Sequence, residues 1–327
     1  MKKLLIATTA LVGTASVAAA DITMSGYGRF GLLFEEDRSN ATGDLEETRL
    51  EQRYRLNIDS STETDGGVRF AARIRIEANE GNDGQSGQGL INSARFQVSA
   101  GGLRVRVGNI SGVHDAAEVI NFFGFEPGLV GQVGYYNTFA GGSAPVDAYS
   151  GSGQGVTGIN VKYEAGDFAV MASYSEDYDD KDQTTSADDF EAFEIGASYA
   201  VAGWTFGVAY ASADFGTGNA TGALDGVEAD AWTATATGSL GVADVAFFLG
   251  DTDVTGDDIA YGVSGSIPVG AATDIVASYA GGGADALDDS YGIGFAHSLG
   301  GGVTLKGMVG RNTSENTVAD LGVIFNF

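Results

Sequence analysis

From residue 22 to the last residue the chain alternates, with an apolar or aromatic side chain at one position and a small or polar one at the next. Period-2 alternation is the signature of a strand with two unlike faces. Sixteen such segments can be read, at roughly 22–34, 45–60, 66–79, 91–100, 102–109, 156–164, 168–176, 191–201, 203–213, 227–240, 242–250, 258–267, 271–281, 289–299, 302–312 and 317–327. Trp204, Phe206, Val208 and Tyr210 share one face of their segment, as do Ile259, Tyr261 and Val263, while Ser264, Ser266, Thr304 and Asn312 occupy intervening positions. A soluble sandwich alternates too, so the period alone does not choose the architecture. The connections do. Ala100–Gly102, Ala165–Asp167, Val201–Gly203, Leu240–Val242 and Leu299–Gly302 are tight, whereas 35–44, 80–90, 177–190, 214–226, 251–257 and 282–288 are long, polar and acidic. Short turns on one rim and long loops on the other predict an all-β fold, an antiparallel up-and-down β-barrel of 16 strands that spans a membrane. Closing such a barrel pairs its first and last strands and leaves no edge in lipid.

The start of the chain reads differently. Lys2 and Lys3, the apolar run Leu4 to Val12, and Ala18-Ala19-Ala20 form a signal peptide over residues 1–20. The run is too short to remain as a membrane helix. The barrel domain then occupies 21–327, with residues 110–155 as its longest connection. No apolar stretch of about twenty residues follows, which excludes helical spans.

Composition narrows the partners. The leader takes Lys2 and Lys3, so 15 of the 17 basic residues remain against 44 acidic ones, a net of −29. That balance argues against nucleic acid, whose phosphates need a basic surface. With no cysteine, disulfides and thiolate zinc sites are excluded.

Ten of the remaining basic residues fall in the first five segments, all on the polar parity: Arg29, Arg49, Arg53, Arg55, Arg69, Arg73, Arg75, Arg95, Arg104 and Arg106. Leu50, Tyr54, Leu56 and Ile58 oppose the second group, Val68, Phe70, Ile74 and Ile76 the third, and Leu103, Val105 and Val107 the last. An arginine facing lipid costs about 2–4 kcal/mol at the midplane, so this wall is expected to face water inside the barrel. The same side chains can also pair with inward carboxylates such as Glu51 and Glu77 and brace the wall. The 110–155 connection carries Phe122, Phe123, Phe125, Tyr135 and Tyr136, which need a surface to pack on, and the acids Asp115, Glu118, Glu126 and Asp147. A loop this long is expected to have a job.

The last segment, Leu321-Gly322-Val323-Ile324-Phe325-Asn326-Phe327, ends with a phenylalanine carrying the terminal carboxylate. Leader, repeated alternating strands and this ending together resemble a Gram-negative general diffusion porin, in particular the sixteen-stranded porins of photosynthetic and related α-proteobacteria. The resemblance spans the whole mature chain. It implies a bacterial outer-membrane protein and a homotrimer among lipid and lipopolysaccharide. It also implies a terminal aromatic, here Phe327, recognised by the barrel-assembly machinery. In such porins the third outer loop folds into the barrel and narrows it. Carried over, Asp115, Glu118, Glu126 and Asp147 would face the arginines across the constriction. Fixed charge rows of opposite sign across a narrow gap set up a transverse field that favours ions and small hydrophilic solutes over apolar ones. Gln52, among the outward residues of the second segment, makes a poor lipid contact and fits a protein-covered face.

Other chemistry is thin. Gly26-Tyr27-Gly28-Arg29-Phe30-Gly31 matches a dinucleotide fingerprint but lies within a strand, with no helix behind it. Asp251-Thr252-Asp253 opens like a calcium loop, yet its twelfth position is Gly262. Acidic clusters at 176–191, 251–258 and 285–289 are candidate sites for divalent cations such as calcium, though a solvated loop surface accounts for them more simply; no cofactor is required. His114 and His297 stand apart in the register, and no nucleophile elbow accompanies them, so no enzyme is expected. The rival readings are a substrate-selective channel and a structural or adhesin barrel without an open pore.

Overall fold

The computed structural model describes residues 21–40, 43–80, 87–140, 157–176, 191–214, 228–253, 258–284 and 287–327. The leader at 1–20 lies outside them. Sixteen long strands run through these residues. The first eight are β1 (Asp21–Glu35), β2 (Thr48–Glu63), β3 (Arg69–Asn79), β4 (Arg95–Ala100), β5 (Leu103–Gly108), β6 (Thr157–Ala165), β7 (Phe168–Glu176) and β8 (Glu191–Val201). The second eight are β9 (Trp204–Asp214), β10 (Glu228–Leu240), β11 (Ala243–Thr252), β12 (Ala260–Pro268), β13 (Thr273–Gly281), β14 (Ser290–Gly300), β15 (Val303–Arg311) and β16 (Thr317–Asn326). Each pairs antiparallel with its neighbours in sequence, and β1 pairs with both β2 and β16, which closes the sheet into a barrel. Closure runs from Tyr27 opposite Asn326 to Glu35 opposite Val318. Past the last rung, the backbones of Gly26 and Phe327 exchange two hydrogen bonds, of 2.9 and 3.1 Å.

Three strands depart from the sequence pattern by three residues or more: the third begins at Arg69 rather than 66, after the Thr64–Val68 turn, and the other two differ for local reasons of their own. The fourth segment begins at Arg95 rather than 91. Leu90–Ile91 makes a two-residue bridge to Ile76 and Glu77, and the Asn92 side chain then accepts from the Arg75 N–H at 2.7 Å, taking the place of a strand partner. The second segment is shifted to 48–63, because a small hairpin of Ser39–Asn40 with Gly43–Asp44 takes up the chain before it. The inward and outward parities are unchanged in both.

The turns confirm the two unlike rims. Gly101-Gly102 and Ala202-Gly203 hold consecutive positive φ values, the conformation that tight hairpins demand. The outer face is apolar. Leu50 is 69% and Phe96 58% exposed, and Phe30, Val208, Ile293 and Leu321 project likewise. Apolar exposure on this scale suits hydrocarbon rather than water. No helix of the described residues is long and apolar enough to cross a membrane; the strands do so instead. Inside, polar groups are buried, among them Asn160, Glu194, Thr233, Ser264 and Asp320. The apolar core lies within the lumen, where the β5–β6 connection packs onto the wall. Val113, Val119, Ile120, Phe122, Tyr135 and Phe139 from that connection meet Met171, Ala209, Ala231, Phe248, Ala260 and Ala280 from the strands.

Candidate functional site: the channel constriction

The ten arginines all project inward from five consecutive strands: Arg29 from β1, Arg49, Arg53 and Arg55 from β2, Arg69, Arg73 and Arg75 from β3, Arg95 from β4, and Arg104 and Arg106 from β5. The register stacks like charge on like charge, with Arg29 opposite Arg53 and Arg73 opposite Arg95. Carboxylates on the same wall hold this together. Glu51 accepts from Arg29 at 2.6 Å, and Asp59 takes both arms of Arg73 at 2.7 and 3.0 Å. Glu77 accepts from Arg55 and lies 3.9 Å from Arg53. Neutral groups take others: Asn57 accepts from Arg75, Ser61 from Arg69 and Gln97 from Arg106. The Arg55 guanidinium also sits 5.2 Å from the Tyr27 ring centroid. The arginines are thus braced, yet Arg53, Arg55 and Arg73 keep between 23% and 30% of their side-chain surface open. Bracing and wetting coexist.

The long connection lines the other side. It opens with a short helix, α1 (Val113–Ala116), and includes a second, α2 (Tyr135–Ala140). It is fastened to the wall by a series of polar pins. The His114 N–H donates to Glu194 on β8 at 2.8 Å; its ring Nδ1 lies 2.6 Å from the same oxygen, and Nε2 lies 3.1 Å from the Thr233 hydroxyl on β10. Asn121 donates to Thr235 and Thr237, and Phe125 N–H to Ser264 on β12. Leu129 and Val130 donate their N–H groups to Asp320 on β16. The loop therefore sweeps along the lumen side of β8 to β16 and reaches β1 and β5 at Leu129 and Glu118, leaving the arginines between them to the channel.

The loop acids divide. Glu118 crosses to the arginine wall, 2.6 Å from Arg104, 2.8 Å from Arg106 and 3.1 Å from Lys162. Burial pushes its carboxyl up, but the hydrogen bond from Arg104 and the charges of Arg104 and Arg106 outweigh this and hold it at about 2. Asp115 is raised by burial, against a hydrogen bond from Ser111. Glu126 is raised by burial, against the charges of Lys306 and Arg29. Asp147 lies outside the described residues.

Several participants escape sequence reasoning. Lys162 on β6 and Lys306 on β15 are inward cations outside the arginine run. His114 is a loop pin rather than a bystander; the signal for it was Glu194, a lone carboxylate on the inward parity of a strand whose neighbours there are Ala192 and Gly196. His297, by contrast, meets the hydroxyl of Thr273, its partner in the β13–β14 register, at 2.7 Å. Among the described residues no group of three or more His, Asp or Glu is arranged to hold a metal.

A closed sixteen-stranded barrel with a polar lumen and a loop folded against its inner wall invites comparison with known channels. Residues 7–317 match the family model described as Gram-negative porin. The chain belongs to the Gram-negative porin family. A curated porin of Fuscovulum blasticum is 31% identical over 94% of this chain and 100% of its own, and a porin of Rhodobacter capsulatus 26% identical over the same shares. Among solved structures, a mutant of Rh. blastica porin superposes with a TM-score of 0.75 at 27% identity, covering 94% of this chain and 100% of that one. A triple mutant of Rhodopseudomonas blastica porin gives 0.71 at 28%. This porin is an integral outer-membrane protein that acts as a passive channel.

Proposed function

We propose that the arginines of β1 to β5 and the loop acids Glu118, Asp115 and Glu126 form the selectivity region of a diffusion pore for ions and small hydrophilic solutes. One observation carries this reading: Glu118 is gripped by Arg104, Arg106 and Lys162, which ties the loop to the wall inside the lumen, with Asp115 within the fields of Arg75 and Arg55 and Glu126 within those of Lys306 and Arg29. Charged rows held in place act on a passing solute without the cost of reorganising. Asp147 is assigned to the same acidic row on family likeness alone. The porin works as a homotrimer, with the face bearing Gln52 and the outward apolar residues of β1 and β2 turned toward its neighbours and the remaining belt toward lipid and lipopolysaccharide. Phe327, stacked on Tyr54 with ring centroids 5.6 Å apart, serves the barrel-assembly machinery as its recognition end. Reconstitution into planar bilayers tests the pore directly. Stepwise, ohmic conductance increments in KCl are expected; insertion with no conductance would make the barrel a structural or adhesive one.

A further inference from the structure

Below the constriction, on the side of the short turns, the arginine wall bends into a recess of about 590 Å³. Its lower lip is Asp21, where β1 starts, and Arg69, just after the tight turn from Thr64 to Val68. Its upper end is Arg106, whose other arm reaches Glu118 in the constriction. Arg73 and Arg95, opposite one another in the β3–β4 register, complete the wall. Four guanidiniums from three strands thus converge on one cavity that contains two carboxylates.

The charge accounting leaves a surplus. Asp59 is taken up by both arms of Arg73, at 2.7 and 3.0 Å, and Asp21 sits at the lip. Arg69 donates to a hydroxyl, Ser61 at 3.1 Å, and Arg106 divides its arms between the neutral Gln97 at 2.9 Å and Glu118 at 2.8 Å. Glu118 is shared by Arg106 with Arg104 and Lys162, so the four arginines of the recess outnumber the two carboxylates of its lining, inside a chain whose formal net charge is −27. A wall meant only to brace itself would balance its charges, as Arg29 with Glu51 does. Guanidinium forks match oxyanions bidentately, and the cavity has the size of a small-molecule site.

We propose that this recess is a weak binding step for multiply charged oxyanions, such as compounds bearing phosphate or several carboxylates, on the periplasmic side of the constriction. The proposal rests on the reading of the chain as an open pore. Because Arg69 is exposed and the recess opens onto the lumen, residence is brief, as conduction requires. The site makes the pore asymmetric: an oxyanion arriving from the short-turn side meets four arginines before the loop acids, and one arriving from the long-loop side meets acidic loops first.

The test uses single wild-type channels in planar bilayers, oriented by adding protein to one chamber only, with pyrophosphate as the probe. Brief current interruptions are expected at about tenfold lower pyrophosphate from the periplasmic side than from the outer side, and the double variant Arg69→Gln, Arg95→Gln should remove that difference, since one charge-assisted contact is worth about a factor of ten. Arg311→Gln, on β15 and outside both the recess and the arginine wall, should keep it. Equal sensitivity from both sides, or an asymmetry unchanged in the double variant, overturns the recess while KCl conductance leaves the pore reading standing. Wild-type channels that carry no KCl current overturn both.

Discussion

At the scale of single residues, Glu118 joins the two halves of the constriction. Its carboxylate takes hydrogen bonds from Arg104 and Arg106 and meets Lys162, all three partly shielded from bulk water. Replacing it with glutamine leaves three neighbouring cations without their common anion. Glu118→Gln should cost about 1.5–3 kcal/mol per charged hydrogen bond lost. It should also shift the zero-current potential in a KCl gradient toward anions, which bilayer recordings measure. Acid acts on the loop in a fixed order. A carboxyl depressed to about 2 contributes stability that is present above its ordinary value of 4.5 and lost only as pH falls through about 2. Asp115 and Glu126 are both raised, so they take up their protons before Glu118 does. As the pH falls through the ordinary carboxylate range toward about 4, selectivity should move toward anions as the raised acids Asp115 and Glu126 are neutralised ahead of Glu118, while the Glu118 contacts keep the conductance level unchanged. A conductance jump in that window would show that Glu118 had already let go.

At the scale of elements, the loop and the strands it covers are matched in shape. Inward positions of β8 to β14 are mostly small, and a Cβ at Gly262 would meet the Tyr135 ring at 2.3 Å, one at Gly207 the Val119 carbonyl oxygen at the same distance. Phe122 lies at the centre, edge-on to Phe123, Phe139, Phe248 and His114. Phe122→Ala should destabilise the seated loop by about 3–5 kcal/mol, seen as a lower thermal unfolding midpoint and noisier open-channel current. The strands were legible in the sequence because lipid and lumen impose opposite demands on alternate residues, and ten arginines marked one face beyond doubt. The loop's path was not. Ala209, Ala231 and Gly262 look like any small lumen residues in one dimension, and nothing local says that Tyr135 covers them. Asn92 could not be foreseen as a strand breaker either, because its effect depends on reaching the backbone of Arg75 across the sheet. Glu51, Glu77 and Asp59 were visible as inward acids, but their partners follow only from register.

At the scale of the whole molecule, the barrel is a protein turned inside out, apolar where it meets lipid and charged where it encloses water. Its seam depends on the chain ends. The two backbone hydrogen bonds between Gly26 and Phe327 and the Phe327–Tyr54 stack extend the β1–β16 pairing to the rim. Deleting Phe327 should lower the yield of folded barrel in the outer membrane several-fold, measurable by the fraction of heat-modifiable porin on electrophoresis. The pore's selectivity is likewise a property of the whole, because an acidic chain encloses a basic wall. The most direct test is the zero-current potential across a KCl gradient for the wild type and for the variant Arg53→Gln, Arg55→Gln, Arg75→Gln. If the arginines line the water path, the variant conducts and its potential moves clearly toward cation preference. A conducting variant whose potential equals that of the wild type would contradict the account.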